Sequence, residues 1–71
     1  MSKSPPIANN IRRLRFEHNE MTQAELAERI GMTRQTIAAI EQGKYSPSLE
    51  AAFRIAQVFG VAITDVFRWE G

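Results

Sequence analysis

An arginine and a glutamine stand side by side at Arg34 and Gln35, and two small residues, Ala38 and Ala39, follow one helical turn later. A guanidinium bonds both O6 and N7 of guanine, a carboxamide bonds N6 and N7 of adenine, and an alanine methyl contacts the methyl of thymine. These residue types therefore suit the reading of base edges if one side of a helix presents them. The alternative is a solvated helix face, the commoner role of such residues on an arbitrary helix.

The helix that precedes these residues has a complete set of start and stop signals. Thr22 and Glu25 form the T-x-x-E pattern of a capping box, while Met21 and Leu26 occupy the positions of a hydrophobic staple. Gly31 supplies the left-handed conformation that the end of a helix favours. The sequence therefore predicts a short helix that begins after Thr22 and ends at Gly31.

The same signals return at once for the next helix. Thr33 is its N-cap, Met32 and Ile37 form its staple, and Gly43 ends it. Two short helices joined by a turn that contains glycine form a helix-turn-helix, in which the second helix enters the major groove of DNA. We predict this motif over residues 22–43, so that Arg34 and Gln35 begin the entering helix.

A first helix lies ahead of this motif. Asn9 or Asn10 caps it, Ile11 and Leu14 share its apolar face, and the polar break at residues 18–20 ends it. The run that precedes this helix, residues 5–8, is expected to be extended because proline disfavours a helical conformation in the residue before it. We expect residues 1–5 to be flexible.

A longer helix follows the motif, capped by Ser48 and ended by Gly60. We expect its wide apolar face to form the centre of the core. That face consists of Leu49, Ala52, Phe53, Ala56 and Phe59. A last helical turn is predicted over residues 63–67, and the alternation in residues 67–71 predicts an extended end.

The length and composition of the chain exclude several classes of protein. The 71 residues predict one small domain over residues 1–71, whose marginal stability favours regular packing or a second chain. The net charge is only +1, so overall charge identifies no partner. There is no cysteine and a single histidine, His18, which we assign to the surface or a helix end, so no metal or cofactor is predicted. Without an apolar run of membrane-spanning length or a signal segment, the sequence predicts a cytoplasmic protein.

The stretch TQAELAERIGMTRQTIAAIEQGKYSPSLE resembles the Xre/Cro/C1-type family of prokaryotic and phage transcriptional regulators, particularly its minimal single-domain members. The resemblance extends from about Asn9 to Phe67 and includes Ile-Glu-x-Gly, Pro-Ser-Leu and Phe-Gly-Val. It implies an all-α, compact lambda-repressor-like fold of five helices. It also implies a homodimer that binds double-stranded DNA at a pseudo-palindromic operator and regulates transcription, most simply as a repressor.

The resemblance also implies roles for individual residues. In this family the first exposed residues of the third helix approach base edges, which selects Arg34, Gln35, Ala38 and Ala39. Contacts to the DNA backbone are implied for residues around that helix. They are Gln23, Thr33, Lys44, Tyr45 and Ser46.

Four further residues receive structural roles from the same resemblance. Arg15 and Glu41 match an ion pair between the first helix and the Ile-Glu-x-Gly segment. Phe67 and Trp69 are expected at a dimer interface, because minimal members often dimerise through the fifth helix and the C-terminal segment. A pairing of residues 6–8 with residues 67–70 would give a small two-stranded sheet.

Three alternatives remain open at this point. An antitoxin that represses its own operon would share the fold and the DNA-binding surface. A protein-interaction module would share only the fold, and bulky or acidic residues at the base-reading positions would favour it; none is present. An enzyme is disfavoured because the sequence has no nucleophile and base pair, metal cluster or glycine-rich phosphate loop.

Overall fold

The computed structural model describes residues 6–71, so the expectation for residues 1–5 lies outside the described part. Five helices follow one another between two short strands. The elements are β1 (Ile7–Asn9), α1 (Ile11–Glu17), α2 (Gln23–Ile30), α3 (Arg34–Glu41), α4 (Leu49–Phe59), α5 (Ile63–Val66) and β2 (Phe67–Trp69). The predicted five-helix architecture is confirmed.

Reciprocal hydrogen bonds fix the start of α2. The Thr22 hydroxyl accepts from the Glu25 backbone N–H at 3.0 Å, and the Glu25 carboxylate accepts from the Thr22 backbone N–H at 2.8 Å. These two contacts with Thr22, the backbone one first, lower the pKa of the Glu25 carboxyl below its ordinary value. Gly31 ends the helix with a φ of 73°, in the left-handed region. The predicted capping box is confirmed.

α3 begins in a similar way and packs against α2. The Thr33 hydroxyl accepts from the Thr36 backbone N–H at 3.2 Å, so Thr33 caps the helix as predicted. Ile37 and Ile40 are buried, whereas Arg34 and Gln35 are exposed. The burial of one side of α3 therefore decides which side is turned to solvent.

The core joins all five helices. Its fully buried large side chains are Ile11, Leu26, Ile37, Ile40, Ile55 and Val66. Removing such side chains from water is the main favourable term in folding, at roughly 25 cal/mol per Å² of apolar surface. No helix among residues 6–71 is long and apolar enough to cross a membrane.

The predicted apolar face of α4 was partly wrong. Leu49 is 70% exposed and Phe53 is 55% exposed, while Ile55 is completely buried. The buried stripe consists of Ala52, Ile55, Ala56 and Phe59. Phe53 follows Ala52 by one residue and so lies roughly 100° further around the helix. The residues of this stripe are buried because α4 packs against α2 and α5. The apolar spacing of α4 alone did not specify that packing.

The two ends of the described chain form an antiparallel pair. Ile7 lies opposite Trp69, Ala8 opposite Arg68, and the Glu70 N–H donates to the Pro6 carbonyl at 2.7 Å. The predicted pairing of these segments is confirmed. The sheet lies at the C-terminal end of α3, where the Asn9 carboxamide donates to the Ile40 carbonyl at 3.0 Å.

Candidate nucleic-acid interface

The four residues expected to contact base edges lie along the outer side of α3. Arg34 and Gln35 are exposed in its first turn. Ala38 and Ala39 follow in the next turn and are half-buried, so no long side chain projects there. The outer surface of α3 is thus polar at its start and low in profile behind it, a shape that suits the approach of a helix to the floor of a groove.

An ion pair joins α1 to the last residue of α3. Arg15 Nε lies 2.7 Å from Glu41 Oε2, and Arg15 Nη2 donates to Glu41 Oε1 at 3.1 Å. Arg15 Nη1 also donates to the Met21 carbonyl at 2.8 Å. The side chains of Arg15 and Glu41 are only 14% and 9% exposed. The parallel bonds hold the end of α3 against α1 in a fixed orientation.

The loop between α1 and α2 returns the chain to this ion pair. Asn19 and Glu20 both have positive φ angles, of 58° and 53°. The next residue, Met21, donates its N–H to the Arg15 carbonyl at 2.9 Å. Met21 therefore bonds Arg15 through both its backbone N–H and its carbonyl, which secures the loop to α1.

Gln23 links the ion pair to Arg34. Its Nε2 donates to Glu41 Oε1 at 3.1 Å, while its Oε1 accepts from Arg34 Nη1 at 3.4 Å. The carboxylate of Glu41 accepts only, so it must face the amide nitrogen of Gln23. The oxygen of Gln23 is consequently left to face Arg34. The expected backbone contact of Gln23 must therefore use the second hydrogen of Nε2 or the backbone N–H of Gln23.

A polar groove opens beside this chain of hydrogen bonds. Its lining residues are Arg12, Arg15, Gln23, Glu41 and Gln42. Arg12 and Gln42 were not among the residues that the sequence predicted to contact DNA. The available signal for Arg12 was its spacing, since it precedes Arg15 by three residues and so lies on the same side of α1.

The other residues expected at the DNA backbone lie at the two ends of α3. The Thr33 hydroxyl is already used by the helix cap and also lies 2.9 Å from the Thr36 hydroxyl. Lys44 and Tyr45 are exposed beyond the C-terminal end of α3, and Ser46 is half-buried there. Tyr45 and Ser46 share a cleft with residues of β1 and β2, with a cavity volume of about 10 Å³. That volume admits about one water molecule.

Phe67 and Trp69, expected at a dimer interface, belong to β2. Phe67 is half-buried, whereas Trp69 is 73% exposed. They line one shallow, mostly apolar groove with Ile7 and Ile63. This groove contains none of the residues expected to contact DNA.

Residues of the metal-binding type are not clustered in residues 6–71, where no group of three His, Asp or Glu side chains is suited to an ion. His18 caps the C-terminal end of α1, with its Nδ1 lying 2.9 Å from the Leu14 carbonyl. Its ring also meets the Phe59 ring edge-on, with the centroids 5.1 Å apart. His18 therefore contributes to the helix end and the packing around it.

The helix-turn-helix family pattern matches residues 11–66, which include all five helices. The chain belongs to the Xre/Cro/C1-type helix-turn-helix family. The resemblance seen in the sequence is thereby confirmed, and this family member is placed among the HTH-type transcriptional regulators, which bind DNA.

Among the relatives of this family member, an uncharacterized HTH-type transcriptional regulator of Methanocaldococcus jannaschii is 53% identical over 64 residues, covering 90% of this chain and 96% of the relative. The transcriptional repressor RstR of the cryptic phage CTXphi, from Vibrio cholerae, is 37% identical over 60 residues, covering 84% of this chain and 53% of the repressor. The family therefore includes a named repressor at this level of identity.

Solved structures share the fold. A crystal structure from Bacteroides fragilis, of a protein proposed to bind DNA, superposes with a TM-score of 0.75 and 24% identity, covering 87% of this chain and 98% of that one. Hydroxypropylphosphonic acid epoxidase from S. wedmorenis gives a TM-score of 0.67 at 32% identity, covering 87% of this chain but only 35% of the enzyme. The likeness to that enzyme is thus confined to about a third of its length.

Proposed function

We propose that the protein binds a pseudo-palindromic DNA operator as a homodimer and represses transcription by occupying it. This proposal rests on the residues exposed along the outer side of α3. There Arg34 and Gln35 are exposed ahead of two alanines, and the Arg34 guanidinium donates to Gln23 Oε1 at 3.4 Å. Arginine and glutamine offer the paired bonds that distinguish guanine and adenine in the major groove.

The residues expected at the DNA backbone surround this reading surface. Gln23 is at the N-terminal end of α2, where unpaired backbone N–H groups favour an anion. Thr33 precedes α3, and Lys44, Tyr45 and Ser46 follow it. Contacts on both sides of the entering helix would fix its register on the duplex, which base contacts alone do not do.

The homodimer is supported by the apolar groove of Phe67 and Trp69. A tryptophan that is 73% exposed beside further apolar side chains is typical of a surface that another protein covers. A two-fold dimer presents two recognition helices about 34 to 36 Å apart, so we expect half-sites one helical turn apart. The repressor role is favoured by the relative RstR, which is itself a repressor. The protein would act in the cytoplasm, without enzymatic activity of its own.

Selection of bound sequences from a random pool of DNA duplexes tests the proposal. We expect enrichment of two inverted half-sites at a fixed spacing, protected together in a footprint. A single unpaired half-site would contradict the dimer, and the absence of any enriched sequence would contradict specific binding. The second outcome would favour a protein-interaction module, whereas an antitoxin would enrich an operator and also bind a toxin.

A further inference from the structure

We propose that Arg12 binds a phosphate of the operator backbone in the polar groove between α1 and the start of α2. This inference rests on the proposed function, because it adds a contact to the same DNA-binding surface. Arg12 is not among the residues that the sequence pattern assigned to DNA.

Ion pairs occupy several arginines of residues 6–71 but not Arg12. In the part of the chain that the structure describes, four arginines have a carboxylate partner: Arg13, Arg15, Arg54 and Arg68. Arg12 has none within ion-pair distance among residues 6–71 and is exposed. Its positive charge is therefore available to an anion outside the chain.

The groove that Arg12 lines has a net positive charge. Arg15 and Glu41 also line it, but they neutralise each other through paired hydrogen bonds. Arg12 thus leaves the groove with a charge of +1, while Gln23 and Gln42 add carboxamide groups to its wall. A phosphate carries a negative charge and oxygens that accept hydrogen bonds, and the fork of a guanidinium matches it.

Gln23 connects the groove to the base-reading residues of α3. Gln23 forms part of the groove wall and also accepts a hydrogen bond from Arg34 at 3.4 Å. The groove itself borders the C-terminal end of α3 through Glu41 and Gln42, and Gln23 connects it to the first turn of that helix. When α3 enters the major groove, the sugar-phosphate backbone at its edge would pass this position, so a DNA phosphate is the anion that the arrangement favours.

The chain offers a matched control in Arg13. Arg12 and Arg13 are neighbours on α1 and both are exposed, so replacing either by alanine removes one positive charge from an exposed position on the same helix. They differ in direction by roughly 100° around the helix. Arg13 pairs with Glu17 at 3.8 Å. Both variants lose the same charge. A difference in DNA affinity between them therefore depends on which way the side chain points and what it contacts, and not on net charge.

The experiment measures the affinity of Arg12→Ala, Arg13→Ala and the unaltered protein over a series of salt concentrations. Two duplexes are used, one selected from the random pool and one of random sequence. We expect Arg12→Ala to reduce the slope of log K against log salt by about 0.9, the value for one phosphate contact, on both duplexes. Affinity at low salt should fall roughly tenfold, as for loss of a charged hydrogen bond, with base preference unchanged. Arg13→Ala should remain close to the unaltered protein.

Equal slopes for the two variants would overturn the proposal, and so would a changed base preference in Arg12→Ala, since that would show a base contact. Urea midpoints of both variants control for folding, and Arg12→Lys should retain the slope because it retains the charge. Failure of the proposed function is a separate result. If no sequence is enriched, the comparison on the random duplex still decides whether Arg12 contacts a phosphate.

Discussion

Removing one partner of the Arg15–Glu41 ion pair should destabilise the fold strongly. Arg15→Met keeps an unbranched side chain of similar length but removes three hydrogen bonds, two to Glu41 and one to the Met21 carbonyl. The Glu41 carboxylate, 9% exposed, would retain only the bond from Gln23 at 3.1 Å. Stranding a largely buried charge in this way should cost about 3 to 5 kcal/mol, the cost of breaking a buried pair.

That loss is large for a chain of this size. At about 0.05 to 0.15 kcal/mol per residue, 71 residues give a total free energy of unfolding of about 4 to 11 kcal/mol. Arg15→Met should therefore lose at least a quarter of the stability and leave a detectable unfolded population if the total is near the lower end. The measurement is urea denaturation followed by far-ultraviolet circular dichroism, with the unaltered protein in parallel.

A double variant separates the stranded charge from the loss of packing. Arg15→Met combined with Glu41→Leu removes both charges, so we expect it to be much more stable than the sum of the two single losses predicts. A loss below about 1 kcal/mol in Arg15→Met would refute the reasoning, because that is the value of an exposed pair. Strictly additive losses in the double variant would show that the two side chains are not coupled.

Three further predictions concern the recognition of DNA bases, the formation of the dimer and the pH dependence of stability. Arg34→Ala should lose about 1 to 3 kcal/mol of binding to the selected operator and relax preference at one base position; an equal loss on random DNA would assign Arg34 to phosphate alone. Trp69→Ala should shift the protein towards monomer in sedimentation equilibrium, while Phe16→Ala, which removes an aromatic ring that is 68% exposed on α1, should not. The folded-state pKa of Glu25 is lowered from 4.5, so its contribution to stability is present above pH 4.5 and is lost as the pH falls through the lower folded value. Glu25→Gln should remove that part of the acid dependence in urea titrations, and an unchanged dependence would assign it to other carboxyls.

The sequence predicted the helix-turn-helix closely because its signals are local. The Thr22 capping box, the Thr33 cap and the Gly31 turn each depend on hydrogen bonds or φ angles within a few residues, so neighbouring residues are enough to predict them. The exposure of Arg34 and Gln35 was implied by the family resemblance. The burial of Ile37 and Ile40 on the other side of α3 agrees with it.

Contacts between distant segments were predicted only where the family resemblance implied them, as for the paired chain ends and the Arg15–Glu41 ion pair. The apolar spacing of α4 included Phe53, but the position of α2 and α5 decided that Ile55 is buried in its place. The hydrogen bond from Asn9 to the Ile40 carbonyl joins residues 31 positions apart, and no local sequence pattern predicts it.

The sequence by itself determined the helices, their caps and the family to which they belong, since these depend on hydrogen bonds and side-chain spacing within a few turns. Only the tertiary structure decided how the polar side chains are grouped. It places Gln23 between Glu41 and Arg34, and it opens a groove beside them for Arg12. The physical reason is that hydrogen bonds and ion pairs require atoms within about 3 to 4 Å, and only the packing of α1 against the ends of α2 and α3 brings these residues so close.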